Sequence, residues 1–448
     1  MLSLLFAEHG IHTHFYDPLK RNIEELESYA RNSHHADRIT HHNDHKSLCD
    51  ALRAAGNPKV FMFSIPHGGA ADDNIKDLES YLEVGDLIMD ASNEHWEATE
   101  RRQKHLEPKG IHYIGMGVSG GYQSARHGPS ISPGGSKAAL NAAFPFLQKI
   151  AAKDRNGQPC VAKLGPGGCG HYIKMVHNGI EHGMMTAFCE AWGILNTGLN
   201  VSYQEIGELL EGWNQAGPLR DNFLVGIGAQ ICRTREQGDK SPFVLSNIRD
   251  KVVQDADSSE GTGTWTVEQG IDLHVPHPTI AVSHIFRVAS ADARKREAVT
   301  KTLSGGLLPG KINGVIDKQK FINEDVCQAI YASFLLSFIQ GLHILAKANE
   351  LHGWQLNFLD IFQIWRRGCI IQSDYIVDLL ERVYRTEHDD HNLLASRIIA
   401  DELQRAYPCL KTIVLRALEA DLHVPALSAS LEYFKYSASA NLPTSFRK

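Results

Sequence analysis

The hydrophobic pattern of the chain changes once, near Gly165–Gly170, and this change constrains the fold more than any single motif. Before it, short apolar runs alternate with charged, amphipathic stretches such as Lys20–Ala30 and Asp72–Leu82. The apolar runs predict buried strands at His12–Tyr16, Val60–Ile65, Leu87–Met89 and His112–Met116. Strand–helix alternation at this spacing is typical of parallel βαβ units joined by right-handed crossovers.

After Gly170 the pattern becomes helical. Apolar residues recur with the helical period over Ile173–Leu195, Val326–Ala348 and Phe358–Cys369, and few stretches favour strands. A chain of 448 residues also exceeds the ~250–300 residues at which one core usually stops growing. We therefore predict a Rossmann-like α/β domain over residues 1–166, a larger all-α domain over 167–425, and a tail over 426–448.

The first residues predict an unusual start to the α/β domain. Met1–His9 resembles the helix that follows the first strand of such a domain, and His12–Tyr16 resembles its second strand, which ends at Asp17. We therefore expect the first strand and its Gly-rich turn to be missing, because they would have to precede Met1. In a dinucleotide-binding fold that turn holds the pyrophosphate at a helix N-terminus.

Composition excludes several classes of protein. Hydrophobic residues make up 43% and charged residues 22%, which excludes disorder as a description of the whole chain. The net charge of −7 argues against general nucleic-acid binding, since phosphate neutralisation needs a basic surface. The eight cysteines form no C-x-x-C pair, and no apolar run approaches the ~18–20 residues of a membrane span. We therefore predict a cytoplasmic protein with reduced thiols and neither a nucleic-acid nor a membrane partner.

Two segments match the dinucleotide fingerprint G-x-G-x-x-G, at Gly115–Gly120 and Gly165–Gly170, but neither has the strand–turn–helix context that the fingerprint requires. The wider stretch Gly117–Ser136 is rich in glycine, proline and serine, which predicts a loop. Its backbone N–H groups and hydroxyls suit an anionic or polyhydroxy ligand, and a plain surface loop is an equal alternative. The histidines within residues 34–45 lack regular ligand spacing, so we predict no metal site.

Polar residues follow one face of the helix predicted after Gly170. The residues at positions i, i+3, i+4 and i+7 are Lys174, His177, Asn178 and Glu181. A solvated polar face explains such spacing in most helices. A lysine and a glutamate in an apolar frame also suit proton transfer, because burial and neighbouring charges tune them as base and acid. Both interpretations are open at this point.

Four segments together resemble the decarboxylating 6-phosphogluconate dehydrogenase family. They are GVSGG…GPSISPGGS within Gly117–Ser136, GCGHYIKMVHNGIEH over Gly168–His182, GTGTWT over Gly261–Thr266 and WRRGCII over Trp365–Ile371. The resemblance covers nearly the whole chain in order, and the combination of VSGG with KMVHNGIE is highly specific. It implies a cytosolic homodimer of the pentose phosphate pathway that uses NADP to oxidise and decarboxylate 6-phosphogluconate to ribulose 5-phosphate.

The resemblance also implies roles for individual residues. Lys174 would take the hydroxyl proton during oxidation and assist decarboxylation as an acid, and Glu181 would protonate the enediol carbon. The residues implied for substrate binding are Asn93, Ser119, Gly120, Gly121, His177, Asn178, His182, Glu260, Thr262 and Arg287. The residues implied for cofactor binding are Asp17, Ile65, Pro66, His67 and Asn93.

Departures from the family pattern suggest alternatives. Asp17 stands where the family has an arginine for the adenosine 2′-phosphate, and a carboxylate there favours NAD, unless Lys20 or Arg21 supplies the phosphate contact. At the phosphate end of the substrate, Glu260 replaces a lysine and His182 replaces a tyrosine. The alternatives are an NAD-linked dehydrogenase of a non-phosphorylated 3-hydroxy sugar acid and an inactive paralogue. The family's C-terminal arginine would fall beyond Lys448, and Arg447 is a poor substitute for it.

Overall fold

A computed structural model describes residues 1–56, 58–238, 241–248, 261–387 and 392–447. The chain forms two compact units, Met1–Met175 with His352–Ile370, and Val176–Leu351 with Ile371–Lys448. All strands of the described residues belong to the first unit, and the second unit is helical. The predicted fold class, a Rossmann-like α/β domain followed by a larger all-α domain, is confirmed. The first unit extends past the predicted boundary at residue 166, because it includes the start of the long helix that follows.

The strands of the first unit form two sheets. They are β1 Thr13–Phe15, β2 Ile39–His41, β3 Val60–Phe63, β4 Leu87–Asp90, β5 His112–Ser119 and β6 Ser130–Gly134. β1 and β2 pair in parallel, and β3, β4 and β5 form a second parallel sheet to which β6 adds an antiparallel edge. The register places Val60 opposite Leu87 and Leu87 opposite His112. Four of these strands lie where the apolar runs predict them.

Helices make up most of the remaining chain. They are α1 Leu2–Glu8, α2 Lys20–Arg31, α3 His45–Ala54, α4 Gly69–Leu78, α5 Trp96–Leu106, α6 Gly121–His127, α7 Lys137–Ile150, α8 Cys169–Gly193, α9 Tyr203–Gln215, α10 Phe223–Arg233, α11 Thr262–Asp272, α12 Pro278–Ala291, α13 Ala293–Thr302, α14 Lys318–Lys320, α15 Cys327–His352, α16 Phe358–Trp365, α17 Asp374–Thr386, α18 Arg397–Glu419 and α19 Pro425–Ser437. Short 3₁₀ segments are Ala36–Arg38, Glu79–Tyr81, Glu107–Lys109, Val244–Ser246, Leu393–Ala395 and Pro443–Arg447, and π-helical segments are Ile194–Gly198 and Phe321–Val326.

Helices cover both faces of the four-stranded sheet. Side chains alternate between the faces along β4, as the strand period of two requires. Leu87 and Met89 enter a core that includes residues of α1 and α7, whereas Ile88 enters a core that includes residues of α3 and α4. Because both faces are buried, the inner strands are apolar at consecutive positions, which is the pattern that predicted them.

The prediction of a loop over Gly117–Ser136 is wrong. β5 continues to Ser119, α6 follows immediately, and β6 returns along β5 from Ser130. The glycines in this region instead allow the start of α8 to approach the sheet closely. A Cβ atom added to Gly134 would lie 2.4 Å from the backbone nitrogen of Gly170. Composition predicted a loop because it does not distinguish glycines of a turn from glycines at a helix–sheet contact.

In the second unit, α15 is almost entirely buried and crosses the second half of α8 at short range. A Cβ added to Gly341 of α15 would lie 2.4 Å from Ile180, and one added to Gly183 of α8 would lie 2.5 Å from Ser337. Each helix therefore contributes a glycine where the other helix presents a side chain. This contact fixes the part of α8 that carries several predicted site residues.

Two predictions about the second unit need correction. Lys318–His352 is long and apolar enough to cross a membrane, which the sequence analysis did not expect, but 89% of its most apolar window is buried inside the protein, as in a core helix. The predicted tail at 426–448 begins inside α19. Ala426, Leu427 and Leu431 of that helix are buried, so these residues are part of the core.

Candidate active site

The carboxyl ends of three neighbouring strands carry most of the predicted site residues of the first unit. Ile65–His67 follow β3, Asn93 follows β4, and Ser119–Gly121 come at the end of β5. These strands are parallel neighbours, so their carboxyl ends meet at one edge of the sheet, where open α/β sheets bind ligands. The structure therefore brings these residues to a common edge.

Lys174 lies on the first turns of α8, against β5. A Cβ atom added to Gly117 would lie 2.2 Å from Cβ of Lys174, so the glycine leaves room for the lysine stem beside the strand. Ser119 comes two residues later on β5 and faces the same side of the sheet. The Lys174 side chain thus passes the strand at the carboxyl end that carries Ser119, Gly120 and Gly121.

The polar face of α8 is buried. Lys174 is 7% exposed and His177 is 1% exposed, while the Glu181 side chain is 15% exposed. A solvated polar face, the alternative left open by the sequence, is therefore wrong. Charged side chains are seldom buried to this degree without a partner or a function.

Three residues of the second unit form a hydrogen-bonded chain at the start of α11. Nδ1 of His177 donates to Oδ1 of Asn178 over 3.0 Å, and Nδ2 of Asn178 donates to Oγ1 of Thr262 over 2.8 Å. The amide oxygen can only accept, so the proton of this contact belongs to His177. Nδ1 of His177 also lies 3.8 Å from Oε2 of Glu181. The contacts hold an imidazole, an amide and a carboxylate on one face of α8.

His182 faces a second histidine that the sequence analysis did not single out. The rings of His182 and His284 are parallel within 4°, with centroids 5.6 Å apart. Both rings lie against Gly263, where an added Cβ would come within 2.5 Å of His182 and 2.7 Å of His284. Oγ1 of Thr264 lies 3.2 Å from Nε2 of His284. The first turn of α11 is therefore bordered by two imidazoles.

Arg287, the other residue predicted at the phosphate end, lies on α12 one turn after His284. That spacing, a histidine three residues before an arginine on one helix, is the sequence signal that would have found His284. Glu260, predicted to oppose the phosphate, lies outside the described residues.

Asp17 lies directly after β1, as predicted, and its carboxylate holds the start of α2. Oδ1 accepts from the backbone N–H of Leu19 at 2.8 Å, and Oδ2 accepts from the side chain of Asn22 at 3.0 Å. Lys20 and Arg21 begin α2 and are exposed. This strand end therefore presents both the carboxylate and the cations that the two cofactor alternatives require.

A buried ion cluster at the carboxyl ends of β3 and β4 was missed by the sequence analysis. Its members are the buried Asp90, Glu94 and Arg102, together with Asp72, whose side chain is 38% exposed, and we call it the carboxyl-end cluster. Nη1 of Arg102 donates to Glu94 over 2.7 Å, and Nε donates to Asp72 over 3.0 Å. The Arg102 guanidinium, bonded to Asp72, holds the pKa of that carboxyl well below its usual range. These four residues lie on two helices, a strand end and a loop, so no helical or strand periodicity indicates that they meet.

His171 begins the polar part of α8 and packs next to this cluster. Its Nδ1 lies 2.6 Å from Oγ1 of Thr99, and burial lowers the pKa of the imidazole, so it is neutral at physiological pH. Within the described residues, no group of three or more histidine, cysteine or acidic side chains is arranged to hold a metal ion.

Two family models match the sequence over almost its whole length. Residues 1–165 match the NAD binding domain of 6-phosphogluconate dehydrogenase, and residues 170–448 match the 6-phosphogluconate dehydrogenase C-terminal domain. The chain belongs to the 6-phosphogluconate dehydrogenase family.

Full-length relatives agree with this assignment. The chain is 42% identical to the decarboxylating 6-phosphogluconate dehydrogenase of Emericella nidulans, over 100% of the chain and 92% of the relative. It is 36% identical to the enzyme of the same name from Synechococcus elongatus, over 89% of the chain and 82% of the relative. The solved Plasmodium falciparum 6-phosphogluconate dehydrogenase is similar with a TM-score of 0.87 at 31% identity, covering 100% of this chain and 92% of that one.

Proposed function

We propose that the chain catalyses the oxidative decarboxylation of 6-phosphogluconate to ribulose 5-phosphate with reduction of NADP. The observation that carries this proposal is the buried polar face of α8, which holds Lys174, His177 and Glu181 in an apolar frame. The two relatives described above are both named as decarboxylating 6-phosphogluconate dehydrogenases. The Plasmodium falciparum enzyme was solved with its cofactor NADP+ and with its substrate 6-phosphogluconate. The chain is therefore an NADP-dependent oxidoreductase.

Lys174 and Glu181 divide the proton transfers in this proposal. NADP, when bound, supplies the acceptor for the hydride that leaves the hydroxyl-bearing carbon. Lys174 takes the proton of that hydroxyl, and its ammonium then donates to the ketone oxygen, so the electron pair left by departing carbon dioxide is held as an enediol. Glu181, in its protonated form, donates a proton to the carbon that lost carbon dioxide, while the enediol hydroxyl returns its proton to Lys174, which yields the ketose.

The remaining predicted residues bind the two ends of the substrate. We assign the carboxylate and hydroxyls to Asn93 and the segment Ser119–Gly121, whose strand-end position supports the assignment, together with His177 and Asn178. For the phosphate we assign Thr262, His182 and Arg287. The first turn of an eleven-residue helix, α11, favours an anion through its backbone N–H groups.

The nicotinamide end of the cofactor fits the carboxyl ends of β3 and β4, where Ile65, Pro66, His67 and Asn93 lie beside the strand that Lys174 crosses. The adenosine end would meet Asp17. Both oxygens of its carboxylate accept hydrogen bonds from α2, and the cations that begin that helix support NADP. NAD use through Asp17 stays a hypothesis, which the ratio of kcat/KM for the two cofactors tests.

We further propose a homodimer. α12 leaves three large apolar side chains exposed, Ile285, Phe286 and Val288, and exposed apolar clusters mark association surfaces. Phe286→Asp should produce a monomer in analytical ultracentrifugation, whereas Val84→Asp, at an exposed apolar residue of the first unit, should not. A monomeric wild-type chain would contradict the proposal.

We also propose that the chain acts in the cytoplasm, as an enzyme of the pentose phosphate pathway. Its eight cysteines are free, which supports a reducing compartment.

The activity is tested by following all products in one reaction. Wild-type protein with 6-phosphogluconate and NADP should form NADPH, carbon dioxide and ribulose 5-phosphate in equal amounts. NADPH without carbon dioxide would indicate a dehydrogenase that does not decarboxylate. Gluconate in place of 6-phosphogluconate tests the non-phosphorylated alternative, and no turnover of either acid would support the inactive paralogue.

A further inference from the structure

The carboxyl-end cluster takes no part in the proton transfers above, and its contacts point to a different task. Arg102, on α5, has a side chain only 2% exposed. Its guanidinium donates to Oδ1 and Oδ2 of Asp72, Oδ2 of Asp90, Oε2 of Glu94 and the carbonyl oxygen of Gly68. One side chain thus joins α5, the end of β4, the loop after β4, the loop after β3 and the first turn of α4.

The cluster binds both polar atoms of one residue, Gly68. Its N–H donates to Oε2 of Glu94 over 2.9 Å, and its carbonyl accepts from Nη2 of Arg102 over 2.9 Å. Gly68 has φ 87° and ψ −137°, a conformation that only glycine adopts without strain. The turn after β3 is therefore held by a fixed set of donors and acceptors, with a backbone that other residues cannot take.

The residues so fixed are the immediate neighbours of the proposed nicotinamide contacts. His67 precedes Gly68, and Asn93 precedes Glu94. Glu94 also accepts from the N–H of His95 at 2.8 Å, and Asp90 accepts from the N–H and hydroxyl of Ser92. The two loops are consequently tied to each other and to the strand ends by the same ion cluster.

We propose that Arg102 and Glu94 are positioning residues, which set the spacing between the loop that carries His67 and the loop that carries Asn93, and thereby the placement of the nicotinamide ring and the substrate hydroxyl. This inference rests on the proposed function for the identity of the ligands. A misplacement of about 1 Å at a reacting centre costs about 10²-fold in rate, which makes such a device consequential.

The competing explanation is that the cluster only stabilises the fold, and the same sheet provides a matched control. Lys59 and Asp86 form a buried ion pair of 2.8 Å at the amino ends of β3 and β4, with both side chains 2% exposed. That pair is also made of buried charges, on the residues directly before these two strands, but it contacts none of the loops after the strands within the described residues. Loss of either cluster should weaken the unit, and only loss of the carboxyl-end cluster should disturb the ligands.

The test uses three variants of the full chain. Arg102→Lys keeps the charge but loses the planar fork of donors. Glu94→Gln keeps the shape but replaces one acceptor oxygen by a donor. Lys59→Met removes the control pair. For each we would measure the melting temperature, the Kd of NADP+ by calorimetry, and kcat and both KM values with 6-phosphogluconate.

We expect Arg102→Lys and Glu94→Gln to lower kcat about 10- to 100-fold and to raise the Kd of NADP+. Lys59→Met should lower the melting temperature at least as much and leave kcat and Kd as in the wild type. Unchanged kcat and Kd in both carboxyl-end variants would overturn the proposal.

The calorimetry separates this proposal from the proposed function. A wild-type chain that binds NADP+ without oxidising 6-phosphogluconate, with weaker binding in both carboxyl-end variants, would support positioning and contradict the activity. An active wild type whose carboxyl-end variants behave like Lys59→Met would support the activity and contradict the positioning role. Because Arg102→Lys and Glu94→Gln perturb different partners, a folding failure of one leaves the other as the test.

Discussion

Strands β3 and β4 carry a buried ion cluster at each end, and the two clusters differ in what they hold. At the amino end, Asp86 accepts from the backbone N–H of Lys59 at 2.8 Å and from that of Glu83 at 2.8 Å. These contacts join the segment before β3 to the segment before β4. At the carboxyl end, Arg102 and Glu94 bind both peptide atoms of Gly68 in the loop beyond the strand.

Burial of charge does not by itself mark a functional site. Both clusters satisfy their own hydrogen bonds and both link parallel strands. Only the carboxyl-end cluster reaches the loops that carry predicted ligand contacts, because crossover connections place those loops at the carboxyl edge of a parallel sheet. The direction of the strands therefore decides which of two chemically similar clusters lies beside the predicted ligand-binding loops.

The largest expected difference between the two ends concerns two buried lysines. Lys174→Met should lower kcat/KM for 6-phosphogluconate about 10³-fold, because Lys174 acts first as base and then as acid. Lys59→Met should retain wild-type kcat/KM in the folded protein and should lose stability instead. Steady-state kinetics with thermal melts of both variants makes the comparison, and a Lys59→Met enzyme as inactive as Lys174→Met would break it.

A second difference concerns stability against pH. Removing one partner of a buried pair costs about 3–5 kcal/mol, so Arg102→Met and Lys59→Met should both lower the free energy of unfolding at pH 8. Burial lowers the pKa of Lys59, but its hydrogen bonds to Asp86 and Glu83 leave it raised overall. A raised lysine pKa adds stability that is present below the unfolded pKa and is lost as pH rises through the folded pKa.

The cost of Lys59→Met should therefore hold from pH 8 to about pH 10.4, the pKa of an unfolded lysine, and begin to shrink between there and pH 11. The cost of Arg102→Met should persist throughout, because the guanidinium stays protonated. Urea unfolding of both variants and the wild type across this range measures the two costs. Equal shrinkage of both would contradict the assigned electrostatics.

The smallest effect is expected at the carboxyl end of β1. Asp17→Asn removes the charge that opposes a 2′-phosphate, and keeps an acceptor for the N–H of Leu19. A unit charge about 4 Å away is worth about 1 kcal/mol in water, so the ratio of kcat/KM for NADP over NAD should rise about fivefold. Asp37→Asn, at an exposed residue, serves as the control. An unchanged ratio would assign the preference to Lys20 and Arg21.

The sequence alone predicts those elements whose buried residues follow a regular pattern along the chain. Strand β4 was found because apolar residues succeed one another, and the face of α8 was found because helical periodicity places Lys174 and Glu181 together. The prediction of a loop over Gly117–Ser136 is wrong because glycines in this segment make room for a helix that is distant in sequence. Gly117, for example, makes room for Lys174. The sequence does not show that contact, because it forms only in the folded chain.

The same limit explains the residues that were missed. Arg102 and its partner Asp72 lie on different helices, and each is indistinguishable in sequence from an exposed charge. For His284 the sequence offers only its spacing of three residues from Arg287, and its contact with His182 depends on the packing of α12 near α8 and α11 in the second unit. Charge clusters assembled from separate elements carry no periodic signal, so the carboxyl-end cluster could be found only from coordinates.

We propose that the buried face of α8 performs the proton transfers. The kcat of Glu181→Gln at saturating 6-phosphogluconate and NADP tests this most directly. Glutamine preserves the shape and cannot donate the proton to the enediol carbon. We expect kcat to fall about 100-fold while both KM values stay within about threefold, since the lost interaction belongs to the transition state. A Glu181→Gln enzyme with wild-type kcat would contradict it.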